Sequence, residues 1–250
     1  MLQIKSKGKS ITLILLLIIS FITLPISAQA QEVNKTVNMS PEALVEFIEE
    51  GGVIKNEKVS VTKATTLEKN VILANNSSKT IKETEIYVVD KKLDNNSFER
   101  TIVADFPVST KANSGSVTNY KDGRAKIACT LNYKTLQFHG ATCFAGASFG
   151  GRVVSQSSSV TVKSLHGRYV ESGAYYNAQG YQSVMGAHEI DVTFDVSKRY
   201  SNQFKNVSTG RYFLTSSAST GVSADFTIIY TIGDSVPYPL TVTASAPSSV

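Results

Sequence analysis

The chain has 250 residues, 42% of them hydrophobic and 18% charged, with a formal net charge of +5. Three of its 25 basic residues, Lys5, Lys7 and Lys9, stand in the leader, so the remainder carries 22 bases against 20 acids, a net charge of +2. That balance argues against a nucleic-acid partner recruited by bulk charge, and the length is enough to bury a core without a metal staple.

The leader is the first element. The three lysines precede an apolar run from Ile11 to Leu24, and Ala28-Gln29-Ala30 follows. Basic, apolar and small-residue regions in that order predict a cleaved secretory signal over residues 1–30, with the mature chain starting near Gln31. The run has 14 residues, short of the roughly 20 that a membrane-spanning helix needs. No second apolar run of that length follows, so no membrane span is expected in the mature chain. The expected location is extracellular, either secreted or associated with the cell wall.

A helix is predicted over 41–50. Ser40 can cap it, Pro41 fits its first position, and Glu42 suits its positive end. Leu44, Phe47 and Ile48 form an apolar stripe, and Gly51-Gly52 ends it. Beyond Gly52 the apolar period becomes two: Val59/Val61, Val71/Leu73, Ile86/Val88, then Ile102/Ala104/Phe106, with Asn/Ser/Asp turn clusters at 75–78 and 94–97. Residues 109–119 are rich in Ser, Thr, Asn and Gly and read as a linker. The chain therefore divides into an N-terminal region over 31–115 and a β domain over 116–246, with a tail at 247–250.

In the second part, Asp122-Gly123, Gly150-Gly151, Asn177–Gly180 and Ser208–Gly210 are expected to reverse the chain. The clearest alternations are Ile190/Val192/Phe194/Val196, Ala224/Phe226/Ile228/Tyr230/Ile232 and Tyr238/Leu240/Val242/Ala244. Together these features predict a mainly β fold, an antiparallel β-sandwich in two β subdomains with one short N-terminal helix. An even cysteine count in a secreted chain favours a disulfide between Cys129 and Cys143, brought opposite each other by a bend near Leu136.

Catalytic signals are sparse. Gly146-Ala147-Ser148-Phe149-Gly150 matches G-x-S-x-G, but a hydrolase needs that serine on a strand-to-helix elbow, and the residues after it read as strand. His139, His166 and His188 show no metal-ligand spacing, and Glu189, Asp191 and Asp195 on one strand offer too few oxygens for calcium. Neither a catalytic residue, a metal site nor a cofactor is assigned. The Ser/Thr row from Ser155 to Thr161 supports a second reading, a pore-forming hairpin. The preferred reading is a secreted, non-enzymatic binding or adhesion module. Its candidate ligand-binding residues are Tyr169, Tyr175, Tyr176, Asn177 and Tyr181, because rings and amides suit a polar ligand such as a glycan, a peptide or a cell-envelope component.

Overall fold

A computed structural model describes residues 36–66, 71–72, 78–79, 84–114, 117–138, 140–214, 221–233 and 236–247. The expected signal segment, His139 and the last three residues of the tail lie outside these.

The described residues form a mainly β, antiparallel structure. After the helix α1 (Pro41–Glu49) come β1 (Val59–Thr66), β2 (Val71–Ile72), β3 (Ser78–Lys79), β4 (Thr84–Lys92), β5 (Ser97–Ser114), β6 (Val117–Phe138) and β7 (Ala141–Gln156). The chain continues through β8 (Val160–Asn177), β9 (Gly180–Phe194), a 3-10 turn (Val196–Lys198), β10 (Gln203–Asn206), β11 (Tyr212–Leu214), β12 (Gly221–Ile232) and β13 (Tyr238–Ser245).

Eleven of these strands belong to one sheet, in the order β1-β4-β5-β6-β7-β11-β8-β12-β13, with β10 beside β7 and β9 beside β8. The short β11 pairs β7 through Phe213–Phe144 and β8 through Phe213–Tyr175, so it joins the two halves. The halves double over each other. Ile102, Ile127, Cys129, Leu131 and Phe149 from β5–β7 share one buried cluster with Leu165, Tyr169, Phe226, Ile228 and Val242 from β8, β12 and β13. Polar contacts also cross between the halves. Cys129 Sγ donates to the carbonyl of Ala224 at 3.3 Å, and Arg100 Nη1 donates to that of Ser245 at 3.0 Å.

The outer face of the first half is covered by α1. Leu44 and Val45 pack on Val59, Tyr87, Val89, Val103 and Ala128. Ser40 Oγ accepts from the amide of Ala43 at 3.2 Å, and Pro41 opens the helix as its sequence demands. Gly51 follows in the left-handed region, at φ +87°. Beneath the helix, Glu42 pairs with Arg152 of β7, whose Nε lies 3.2 Å from Oε1.

Several expectations are corrected. The disulfide is absent: Cys129 and Cys143 are both free and buried. The hairpin joining β6 and β7 exists, but its strands stay paired past Leu136 as far as Phe138–Ala141. Cys143 therefore sits opposite Leu136, and Cys129 opposite Gly151. Eight residues of strand separate that position from Cys143, roughly 26 Å at about 3.3 Å per residue, far beyond disulfide reach.

The linker expected over 109–119 is strand where it is described. Residues 109–114 pair with 117–122 in the β5–β6 hairpin. The boundary expected at 115/116 lies outside the described residues; the strands on both sides of it, β5 and β6, pair with each other in one sheet. Gly123 is mid-strand opposite Val108 and turns nothing.

Gly150 and Gly151 are also mid-strand. They are glycine because a Cβ on Gly150 would collide with the Gln203 carbonyl of β10, and one on Gly151 would lie 2.5 Å from the Phe226 ring. The Ser155–Thr161 stretch is not a hairpin of paired strands. It includes the turn at 157–159 that carries the chain from β7 to β8, which lie in different halves of the sheet.

Candidate functional site

The far ends of β6, β8 and β9 meet at one edge of the molecule. Asn177 ends β8, and its Oδ1 accepts from the amide of Gln179 at 2.9 Å. Gly180 supplies the φ of +102° that lets β9 start back. Asn177 is thus a turn-former: the side-chain oxygen stands in for a backbone carbonyl. This tight reversal places Tyr181 directly across from Tyr176.

Three rings gather there. Phe138 and Tyr176 have centroids 4.1 Å apart, and Tyr176 and Tyr181 are 5.1 Å apart, both pairs tilted. Tyr181 is 52% exposed, so its ring is a platform edge rather than core. Leu136, 38% exposed, extends the apolar surface on β6. Burial, with the neighbouring Cys143 and Tyr181, holds the Tyr176 hydroxyl above its ordinary pKa, so the ring stays neutral. Gln137 donates through Nε2 to Thr142 Oγ1 at 2.8 Å, and Gln179 is exposed in the turn.

Tyr175 points the other way, because adjacent strand residues alternate faces. Its ring packs on Phe213 at 5.2 Å, and the Arg211 guanidinium lies 5.1 Å from its centroid. Tyr169 is a correction to the candidate set. It is fully buried, stacked on Phe149 at 5.6 Å. Its hydroxyl donates to Glu171 Oε2 at 2.7 Å and accepts from the amide of Gly146 at 3.2 Å. Burial first, then the bond to Glu171, pushes its pKa up. No ligand can reach it, and its role is to hold the fold.

Glu171, which the sequence reading missed, is fully buried beside it. Thr209 Oγ1 also donates to Oε2, at 3.2 Å, and accepts from the amide of Arg211 at 3.4 Å. The second carboxylate oxygen has no hydrogen-bond partner. A chain of polar contacts thus runs from Tyr169 through Glu171 and Thr209 to Arg211, which covers Tyr175. The signal for it was an acid at a core-facing position, in step with Leu165, Tyr169 and the core. Phe138 was also missed, since nothing local in β6 says that its end curls toward β8.

The other sequence-derived candidates do not assemble. Ser148 lies mid-strand, opposite Asn132 of β6 and Asn206 of β10, and accepts from Asn132 Nδ2 at 2.9 Å. It is not at a strand-to-helix elbow. Glu189 pairs with Arg168 at 2.9 Å, and Asp195 caps the 3-10 turn through the amide of Ser197, also at 2.9 Å. Among the described residues, no three His, Cys, Asp or Glu side chains converge on a metal position. A depression of about 330 Å³ lies over the outer face of β8, β9 and β12, lined by His166, Arg168, Asp191, Thr193 and Thr227. It carries no Phe or Tyr ring.

The chain matches no protein-family model, no curated protein and no solved structure.

Proposed function

We propose that this chain is a secreted, non-enzymatic binding protein that takes a glycan on the platform of Phe138, Tyr176 and Tyr181. The observation that carries the reading is the exposed ring of Tyr181 packed at a tilt on Tyr176, itself packed on Phe138. An aromatic face is apolar and flat, and it suits the C–H face of a sugar ring. Phenolic hydroxyls and nearby amides can then receive the sugar's hydroxyls. Asn177 and Gln179 stand in the turn that carries Tyr181 back beside Tyr176. The low net charge of the mature chain favours a neutral ligand over a polyanion. The leader supplies the extracellular part of the proposal.

The test is a glycan array probed with the purified protein, followed by calorimetry on the strongest hit. Tyr181→Ala should weaken that hit about tenfold, or about 1.4 kcal/mol, and leave the thermal midpoint nearly unchanged because Tyr181 is exposed. Thr193→Ala, in the depression that holds neither Phe nor Tyr, should bind as the parent does. Equal binding by the Tyr181→Ala protein, or no glycan hit at all, would overturn the proposal.

A further inference from the structure

The β5–β6 hairpin outruns the sheet that holds it. β4 pairs β5 only as far as Asp105, and β7 pairs β6 only from Ala125 onward. The passage from β7 to β8 closes the root. The amide of Ser157 donates to the carbonyl of Arg124 at 2.9 Å, and Val108 is still buried in the core. Past Val108 and Gly123, six further residue pairs continue, from Ser109–Asp122 to Ser114–Val117. At about 3.4 Å per residue they project roughly 20 Å. Among the described residues, no third strand pairs with either edge of this ribbon.

Two strands alone are marginal in water, and open edges are ordinarily blunted by charge, proline or a bulge. This ribbon has neither a bulge nor a proline, for none occurs after Pro107 until Pro237. Of the twelve residues in its six pairs three are charged, Lys111 on β5 and, at the root, Lys121 and Asp122 on β6. The register of the ribbon is unbroken to its tip.

We propose that the ribbon is an assembly element that pairs edge to edge with the same ribbon of further copies of this chain, head to tail, closing into a ring of antiparallel strands. Two features favour another copy over a foreign partner. First, β5 and β6 run antiparallel, so copies set side by side in one orientation place β6 of each against β5 of the next. The ladder stays antiparallel throughout, and ring closure leaves no open edge. Second, the free length is complementary in charge by register. Lys111 stands on β5 and Asp122 on β6, two residue pairs apart along the ribbon. With copies side by side at one level, Asp122 of each falls diagonally across from Lys111 of the next. This assembly is independent of the glycan platform and uses none of its residues.

The test uses two single-cysteine variants, Ala112→Cys and Asn119→Cys, in a Cys129→Ala/Cys143→Ala background. They are oxidised separately and as an equal mixture, with and without calcein-loaded phosphatidylcholine–phosphatidylglycerol vesicles. Residues 112 and 119 oppose each other within one copy. Head-to-tail pairing predicts a mixed disulfide in excess over either homodimer, and mass photometry of the unmodified chain should show a multimer under the same condition. A variant with 109–122 replaced by Asn-Gly should keep the parent's circular dichroism and glycan binding and remain monomeric. Mixed disulfides with calcein release place the ring across lipid, and mixed disulfides without release place it outside lipid; both support assembly. A monomer in every condition, homodimers in excess, release without mixed disulfides, or assembly of the trimmed variant would each overturn it.

Discussion

Glu171 holds a carboxylate where water cannot reach, with two hydroxyls on one oxygen and none on the other. Burying such a group is tolerable only while its donors stay in place. Tyr169→Phe removes the stronger of the two donors and also leaves the amide of Gly146 without its acceptor. The ring stack on Phe149 survives the change, so the loss reads the hydroxyl alone. We expect a cost of about 2 kcal/mol in urea unfolding, toward the upper part of the range for stranding a buried polar partner. A loss below about 0.5 kcal/mol, typical of a surface site, would contradict the burial of Glu171. Thr209→Ala should cost less, because its contact is longer and only partly buried, and its main effect should be a freer Arg211.

α1 depends on the sheet. With nine residues it is too short to persist alone, and it is held by Leu44 and Val45 and by the Glu42–Arg152 pair. The Glu42 side chain is only 8% exposed. Arg152→Met keeps the packing stem but leaves that carboxylate buried and unpaired. Breaking a buried pair from one side costs about 3 kcal/mol, and here the cost should fall on α1. Amide exchange in 44–50 should accelerate in the variant while β12 stays protected. Equal acceleration in both would place the loss in the whole fold. The sequence predicts α1 correctly because its signals are local: a cap, a first-turn proline and a terminal glycine. β9, β12 and β13 are legible for the same kind of reason, since each alternates without interruption over one core face. Prediction fails where tertiary contact, not local chemistry, chooses the residue. Gly150 and Gly151 look like a turn but make room for β10 and for Phe226. In β7 a register shift near Ala147 puts both Phe144 and Phe149 into one core, which strict alternation forbids. The platform is half legible: Tyr176, Asn177 and Tyr181 lie close in sequence, whereas Phe138 arrives from a strand almost forty residues away.

At the scale of the molecule, one sheet folded over on itself buries groups that must keep their protons. Burial pushes the Cys129 thiol up to about 12 from 9.0, and the Tyr133 hydroxyl up to about 12 from 10.0. It also raises Cys143, Tyr169 and Tyr230. In each case the folded chain holds a proton that the unfolded chain releases as pH rises through the ordinary value. Above that value the unfolded state binds fewer protons, so unfolding is favoured increasingly with pH. Stability is therefore complete below pH 9.0 and falls as pH climbs from 9.0 toward 12, first through the thiols and then, above 10.0, through the tyrosines. The urea midpoint should be flat up to about pH 8.5 and clearly lower at about pH 10.5. Cys129→Ala should make the fall from pH 9.0 shallower, leaving the part that Cys143 contributes, at the cost of a slightly lower midpoint at neutral pH. A disulfide would remove the thiol component from this curve altogether, so the same titration distinguishes two free buried cysteines from a bridge. A midpoint at about pH 10.5 equal to that at about pH 8 would mean that these groups are not buried by the doubling of the sheet, and that its two halves do not share one core.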